Sequence, residues 1–141
     1  VWGHPVPARG TFEGPLARDP KDGRKMRVQP DGKPSVTLYE TRRRPPAVAD
    51  LSLFPETGRT HQIRVHLSAA GHPIVGDTKY PWEPPDGHDR RDCADLGQSS
   101  LLHLLARQLT FRHPKGHILT LAAALPPHMR ASFERLGMSA A

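Results

Sequence analysis

The sequence predicts an α+β fold, a mainly antiparallel mixed sheet flanked by helices, and three features carry that expectation. Strand-like alternation recurs at residues 35–42, 49–54 and 118–125, each stretch bounded by turn or breaker residues. A short helical pattern lies between a start signal at Gly58–Thr60 and a glycine stop at Gly71. A second helix opens on Pro126–Pro127 and closes at Gly137. At 141 residues the chain has room for one domain with a real core and is too short for two ordinary ones.

Taken in order, residues 1–9 form an extended start rich in turn residues, and residues 10–17 a short strand and turn. The charged stretch Arg18–Arg27 is expected as a solvated loop. Asp31–Gly32 is a turn signal, and in the strand that follows Val36 and Leu38 alternate with Thr37 and Tyr39. Arg42–Arg43–Arg44 before Pro45–Pro46 marks a basic loop, either a phosphate contact or a connector that protects a sheet edge. Three adjacent arginines cannot all face one surface of a strand, which favours the connector. Leu51 and Leu53 share a face of the next strand.

In the central helix Thr60 is placed as N-cap, Ile63, Leu67 and Ala70 toward the core, and Gly71 at the left-handed C′ position. So short a helix depends on packing for its stability. Residues 81–100 are polar and full of breakers, a surface insertion. Apolar residues return from Leu101 to Phe111. In the last helix Met129, Phe133 and Leu136 fall at i, i+4 and i+7, the spacing of a face packed on the sheet.

Sixteen prolines and 12 glycines announce many turns, and apolar content is only 36%. The net charge of +6 is compatible with a polyanionic partner and equally with a generic basic surface. A lone cysteine, Cys93, excludes a disulfide framework and fits a reducing, cytoplasmic setting. No apolar run approaches the ~20 residues of a membrane span, and no signal peptide is visible. The chain opens at Val1 in mid-pattern, as a piece of something longer would. His61 and His66 are five apart, which is not the spacing that sets two metal ligands on one helix face, so no metal is expected.

The densest signal runs from Thr57 to His66, TGRTHQIRVH, and continues at Gly71, His72, Pro73, Ile74, Gly76 and Asp77. This run resembles the late signature of the RluA-type pseudouridine synthases. A second, weaker match involves Leu104, Ala106, Leu109, Phe111, His113 and Pro114, with Leu105 standing where that family usually has histidine. The resemblance implies the pseudouridine synthase fold, with these residues as the C-terminal part of its catalytic domain. It also implies isomerisation of uridine to pseudouridine in ribosomal or transfer RNA, acting on a flipped base as a monomer. Breaking the N1 glycosidic bond, turning the base and rejoining it through C5 involves no redox step, so no cofactor is implied.

By the same resemblance Arg64 matches the arginine that pairs with the family's catalytic aspartate and keeps it ionised. Ile63 would wall the uridine pocket. Arg59 and His61, at the start of the helix, are expected to contact RNA, and Gln62 to brace the loop or bond within the pocket. The family's nucleophile sits in an H-R-L-D motif that is not found in the 141 residues, and the active-site tyrosine would fall before Val1. Asp77 reads as a loop-ordering residue, and none of the other aspartates has the context of a nucleophile. Taken alone the chain is therefore expected to be inactive. A non-catalytic RNA-binding module derived from the enzyme is the alternative.

Overall fold

The computed structural model describes residues 1–81 and 100–139. Residues 82–99, with Cys93 and nearly all of the expected insertion, lie outside the described residues. Two compact units are present, Val1–His103 and Leu104–Ala141. The first holds β1 (Arg9–Glu13), β2 (Leu16–Arg18), β3 (Met26–Val28), β4 (Val36–Arg43), β5 (Asp50–Pro55) and α1 (Gln62–Ala69). The second holds β6 (Gln108–Arg112), β7 (Ile118–Ala122) and α2 (Pro127–Arg135). The fold class is α+β as expected. The strands form a three-stranded sheet in the order β1–β4–β5 and two separate hairpins, β2–β3 and β6–β7, every pair antiparallel.

In the central strand β4, Thr37 and Tyr39 are the buried residues, while Val36 and Leu38 are only half covered. Tyr39 stacks on Phe12 of β1 at 4.3 Å between ring centroids, and its hydroxyl donates to the Pro7 carbonyl at 2.8 Å. The inward face of this strand is thus its polar-capable face, because its hydroxyls find partners there.

Arg18–Arg27 is not a simple loop. Its ends pair as β2 and β3, from Leu16↔Val28 to Arg18↔Met26, and Asx turns at Asp19 and Asp22 close the connection. The charge of an exposed hairpin hid two very short strands. At Asp31–Gly32 the turn forms, with the Gly32 N–H donating to the Gln29 carbonyl at 2.9 Å. A Cβ on Gly32 would lie 2.6 Å from the Leu16 backbone, so glycine is needed for the close approach. The arginine run is also corrected: Arg42 and Arg43 end β4, where a register shift between Thr41 and Arg43 re-aims the strand, and Arg44 donates to the Pro5 carbonyl at 3.0 Å.

Helix α1 starts one residue later than the Thr60 cap implied. His61 is the N-cap residue, in the left-handed region at φ 53°, and its side chain caps nothing. The buried face is Gln62, Val65, His66 and Leu67; Ile63 is half-buried and Ala70 exposed. An apolar-only pattern misplaced this face because two polar residues turn inward to bond β4 and the chain beside it. At the other end Gly71 has φ 82°, its N–H reaches the Ser68 carbonyl and the His72 N–H the Leu67 carbonyl, a complete Schellman ending. Leu16, Val65 and Tyr80 form the core under the helix, with Met26 packed against them.

After α1 the chain turns at Gly76, φ 77°, whose α-carbon lies against the Leu101 carbonyl. Beside it the His103 N–H donates to the Val75 carbonyl at 2.9 Å. In the second unit Gly116 turns β6 into β7, Pro127 occupies the first turn of α2, and Gly137 ends it with the same two-bond pattern as Gly71. No helix among the described residues is long and apolar enough to cross a membrane.

Gly71 and Gly76 give a graded test. A Cβ on Gly71 meets open space, so Gly71→Ala carries only the left-handed strain, about 1–2 kcal/mol. On Gly76 it would also overlap the Leu101 carbonyl, and Gly76→Ala is expected to lose about 3 kcal/mol or more in urea unfolding. Equal losses for the two variants would contradict the close approach at Leu101.

Candidate active site

The signature residues converge where the outer face of α1 meets the turn that follows Gly76. Arg64 lies on α1 opposite Asp77. Its Nε donates to Asp77 Oδ2 at 2.8 Å and its Nη2 to Oδ1 at 2.8 Å. Oδ1 also accepts the backbone N–H groups of Lys79 and Tyr80, both at 3.0 Å. The Asp77 side chain is 0% exposed and that of Arg64 20%. Burial pushes the Asp77 carboxyl up, but the Arg64 hydrogen bonds, the two backbone donors and the guanidinium charge outweigh it and hold it below the usual value. The hydrogen bond to Asp77 raises Arg64 in turn. Among the described residues Arg64 Nη1 has no hydrogen-bond partner, so the end-on edge of the guanidinium remains available.

Tyr80 closes the same turn. Its hydroxyl accepts the Met26 N–H at 2.8 Å and lies 2.9 Å from His61 Nδ1. The hydroxyl can donate its proton to Nδ1 or accept a second N–H from it, so this contact links the two rings in either tautomer of His61. The Arg64 guanidinium carbon lies 5.3 Å from the centroid of the Tyr80 ring, within cation–π range. Burial, then the charges of Arg64 and Lys79, lower the His61 pKa below the ordinary histidine value, with Asp77 opposing.

A chain of buried hydrogen bonds carries the loop before α1. Thr57 Oγ1 accepts the Val36 N–H at 3.1 Å and donates to Gln62 Oε1 at 2.6 Å, which also takes the Arg59 N–H at 3.1 Å. Gln62 Nε2 donates to the Val36 carbonyl at 2.9 Å and to Thr37 Oγ1 at 3.0 Å. Thr37 Oγ1 lies 2.9 Å from His66 Nδ1, and His66 Nε2 is 3.1 Å from the Gly14 carbonyl. The Gly14 carbonyl can only accept, so in neutral His66 the proton sits on Nε2 and Thr37 donates to Nδ1. All four hydrogen-bonding positions of Gln62 are filled and the residue is 4% exposed. It braces the loop with every hydrogen-bonding position it has.

Of the other predicted site residues, Arg59 is exposed and its Nε donates to the Pro34 carbonyl at 3.1 Å, while Ile63 is half-buried beside Arg64 on α1. The structure thus brings His61 and Arg64 together at Tyr80 and leaves Arg59 on the surface. Sequence reasoning missed Tyr80, Thr37 and His66, and gave Asp77 half its role. The spacing of a carboxylate and an aromatic within one short turn after the signature helix was the available signal.

The fold is that of the pseudouridylate synthase domains. A solved structure, human RNA Pseudouridylate Synthase Domain Containing 1, superposes with a TM-score of 0.74 at 27% identity, covering 92% of this chain and 54% of that one. The family described as RNA pseudouridylate synthase matches residues 2–69. The dual-specificity RNA pseudouridine synthase RluA of Vibrio parahaemolyticus is 38% identical over 125 residues, 84% of this chain and 46% of the relative. An uncharacterized RNA pseudouridine synthase of Chloroflexus aurantiacus is 51% identical over 106 residues, 73% of this chain and 32% of the relative. The chain belongs to the RluA-type pseudouridine synthase family. It spans less than half of the length of either relative, 46% of the first and 32% of the second.

Two variants test the site's construction. Thr37→Val keeps the volume but strands His66 Nδ1 and one Gln62 N–H in the interior, at about 1–3 kcal/mol each; urea unfolding should show a loss of about 2–6 kcal/mol. A loss below the range for one stranded group would mean the chain of bonds carries little. Because the folded His61 pKa lies below the unfolded one, the unfolded chain protonates first. The His61 contribution is therefore full above about pH 6.5 and is lost as pH falls through the folded value. Between pH 7 and pH 5 the wild type should lose more stability than His61→Asn, which tolerates the left-handed backbone and does not titrate. Equal losses would mean that folding leaves the proton affinity of His61 unchanged.

Proposed function

We propose that these residues are the C-terminal, arginine-bearing part of the catalytic domain of an RNA pseudouridine synthase acting on ribosomal or transfer RNA. The observation that carries this reading is the Arg64 guanidinium, forked on one edge by buried Asp77 and, among the described residues, unpaired at Nη1 on the other. Uridine isomerisation needs a carboxylate that stays ionised in a dry pocket. The open edge of Arg64 presents parallel N–H groups from Nη1 and Nη2, the geometry that accepts such a carboxylate in two hydrogen bonds. Asp77 is not that carboxylate, because its side chain is fully buried and bound to two Arg64 and two backbone N–H groups. With no H-R-L-D motif among the 141 residues, the nucleophile comes from another stretch of polypeptide, and these residues alone carry out no turnover.

Exposed Arg59, and His61 beside Tyr80 and Arg64, are the side chains that this reading assigns to RNA phosphate or base edges. Ile63, next to Arg64 in α1, supplies apolar wall. The chemistry is a rearrangement within one nucleotide and calls for no cofactor. The reading includes a monomeric, cytoplasmic enzyme.

The test is tritium release from C5-labelled uridine in ribosomal and transfer RNA by the full-length gene product, with Arg64→Ala alongside. Release by the wild type and a drop of about 100- to 1,000-fold in the variant is the expected result. Release that survives the substitution would remove Arg64 from the mechanism. No release from a folded protein that still binds RNA in a salt-sensitive manner would favour a non-catalytic RNA-binding module.

A further inference from the structure

We propose that Asp77 is a positioning residue for the reaction, acting through Arg64; this rests on the synthase reading above. An arginine has two forks, a side-on pair at Nε and Nη2 and an end-on pair at Nη1 and Nη2. Free to rotate, it offers either one to an incoming acid. Asp77 occupies the side-on fork with both oxygens, at 2.8 Å and 2.8 Å, so only the end-on fork can face the substrate side.

The carboxylate is itself immobilised. Its Oδ1 takes the Lys79 and Tyr80 N–H groups, its own N–H donates to the Ile74 carbonyl at 3.1 Å, and the preceding Gly76 is seated on the Leu101 carbonyl. The same turn delivers Tyr80, whose ring lies beside the guanidinium and whose hydroxyl holds His61 Nδ1. One buried carboxylate therefore fixes the plane and edge of Arg64, and the turn it orders sets the ring of His61. A group that must meet a reacting carboxylate gains its effect from being fixed beforehand.

Asp77→Asn separates this role from turn formation. The asparagine Oδ1 still accepts from Lys79, Tyr80 and Arg64 Nη2, but its amide nitrogen replaces Oδ2 and sets a donor against Arg64 Nε–H. Tritium release by full-length Asp77→Asn is expected to show kcat lowered about 100-fold, the scale of a misplaced catalytic group, with KM within about threefold of wild type. In an Arg64→Ala background the same substitution is expected to cost no further kcat, because its route is already removed. An equal cost in both backgrounds, or wild-type kcat in the single variant, overturns the proposal.

A second measurement keeps the test sharp if the variant folds poorly. In the wild-type protein with 15N-labelled arginine, the Arg64 Nε–H should exchange with solvent far more slowly than that of exposed Arg9. Exchange as fast as Arg9 overturns the proposal whatever the variants do. Absence of tritium release from the wild type overturns the synthase reading and with it the catalytic part of this inference. The Nε–H measurement decides the pairing separately.

Discussion

A carboxylate without solvent must be compensated where it lies, and Asp77 is compensated on every side. Two guanidinium N–H groups and two backbone N–H groups converge on its oxygens. Leaving one partner of such a buried pair uncompensated costs up to about 3–5 kcal/mol, so helix α1 and the turn at residues 76–80 cannot be varied separately. The pair fixes the distance between them, and that distance places Tyr80 over the small core of Leu16 and Val65.

The other half of the site is held by polar bonds rather than apolar bulk. Gln62 and His66 project from α1 into the chain that runs from Thr57 through Thr37 to the Gly14 carbonyl. Each donor in that chain has one acceptor it can reach, so the network has a single arrangement of protons. Such networks specify one conformation because any slip strands a buried group. The loop carrying Arg59 and His61 is therefore registered on β4 by geometry, and His61 can be kept at a left-handed φ of 53° without a glycine.

Much of this was legible in the sequence where the signal was local. Gly71 and Gly137 end their helices, Pro127 starts the second, β7 lies within its apolar run and β5 extends one residue past its own, to Pro55. The start of α1 was not, because a threonine before an apolar run looks like a cap while the side chain that serves the loop is Gln62, reaching backward to the Arg59 N–H. The buried face of α1 was misjudged for a related reason: burial of His66 depends on Thr37, which is distant in sequence. The partnership of Arg64 with Asp77 was missed although both lie in the same signature run, because 13 residues separate them and a loop-ordering role already accounted for the aspartate.

The contact of Gly76 with Leu101, reinforced by the His103 N–H on the Val75 carbonyl, joins the chain just before residues 82–99 to the chain just after them. Departure and return are therefore fastened to each other next to Asp77. The entropy of closing a stretch between fixed ends rises only by about 0.6 kcal/mol per doubling of its length. The two ends so fastened, at residues 75–76 and 101–103, keep the arginine and its carboxylate in register whatever length of sequence joins them.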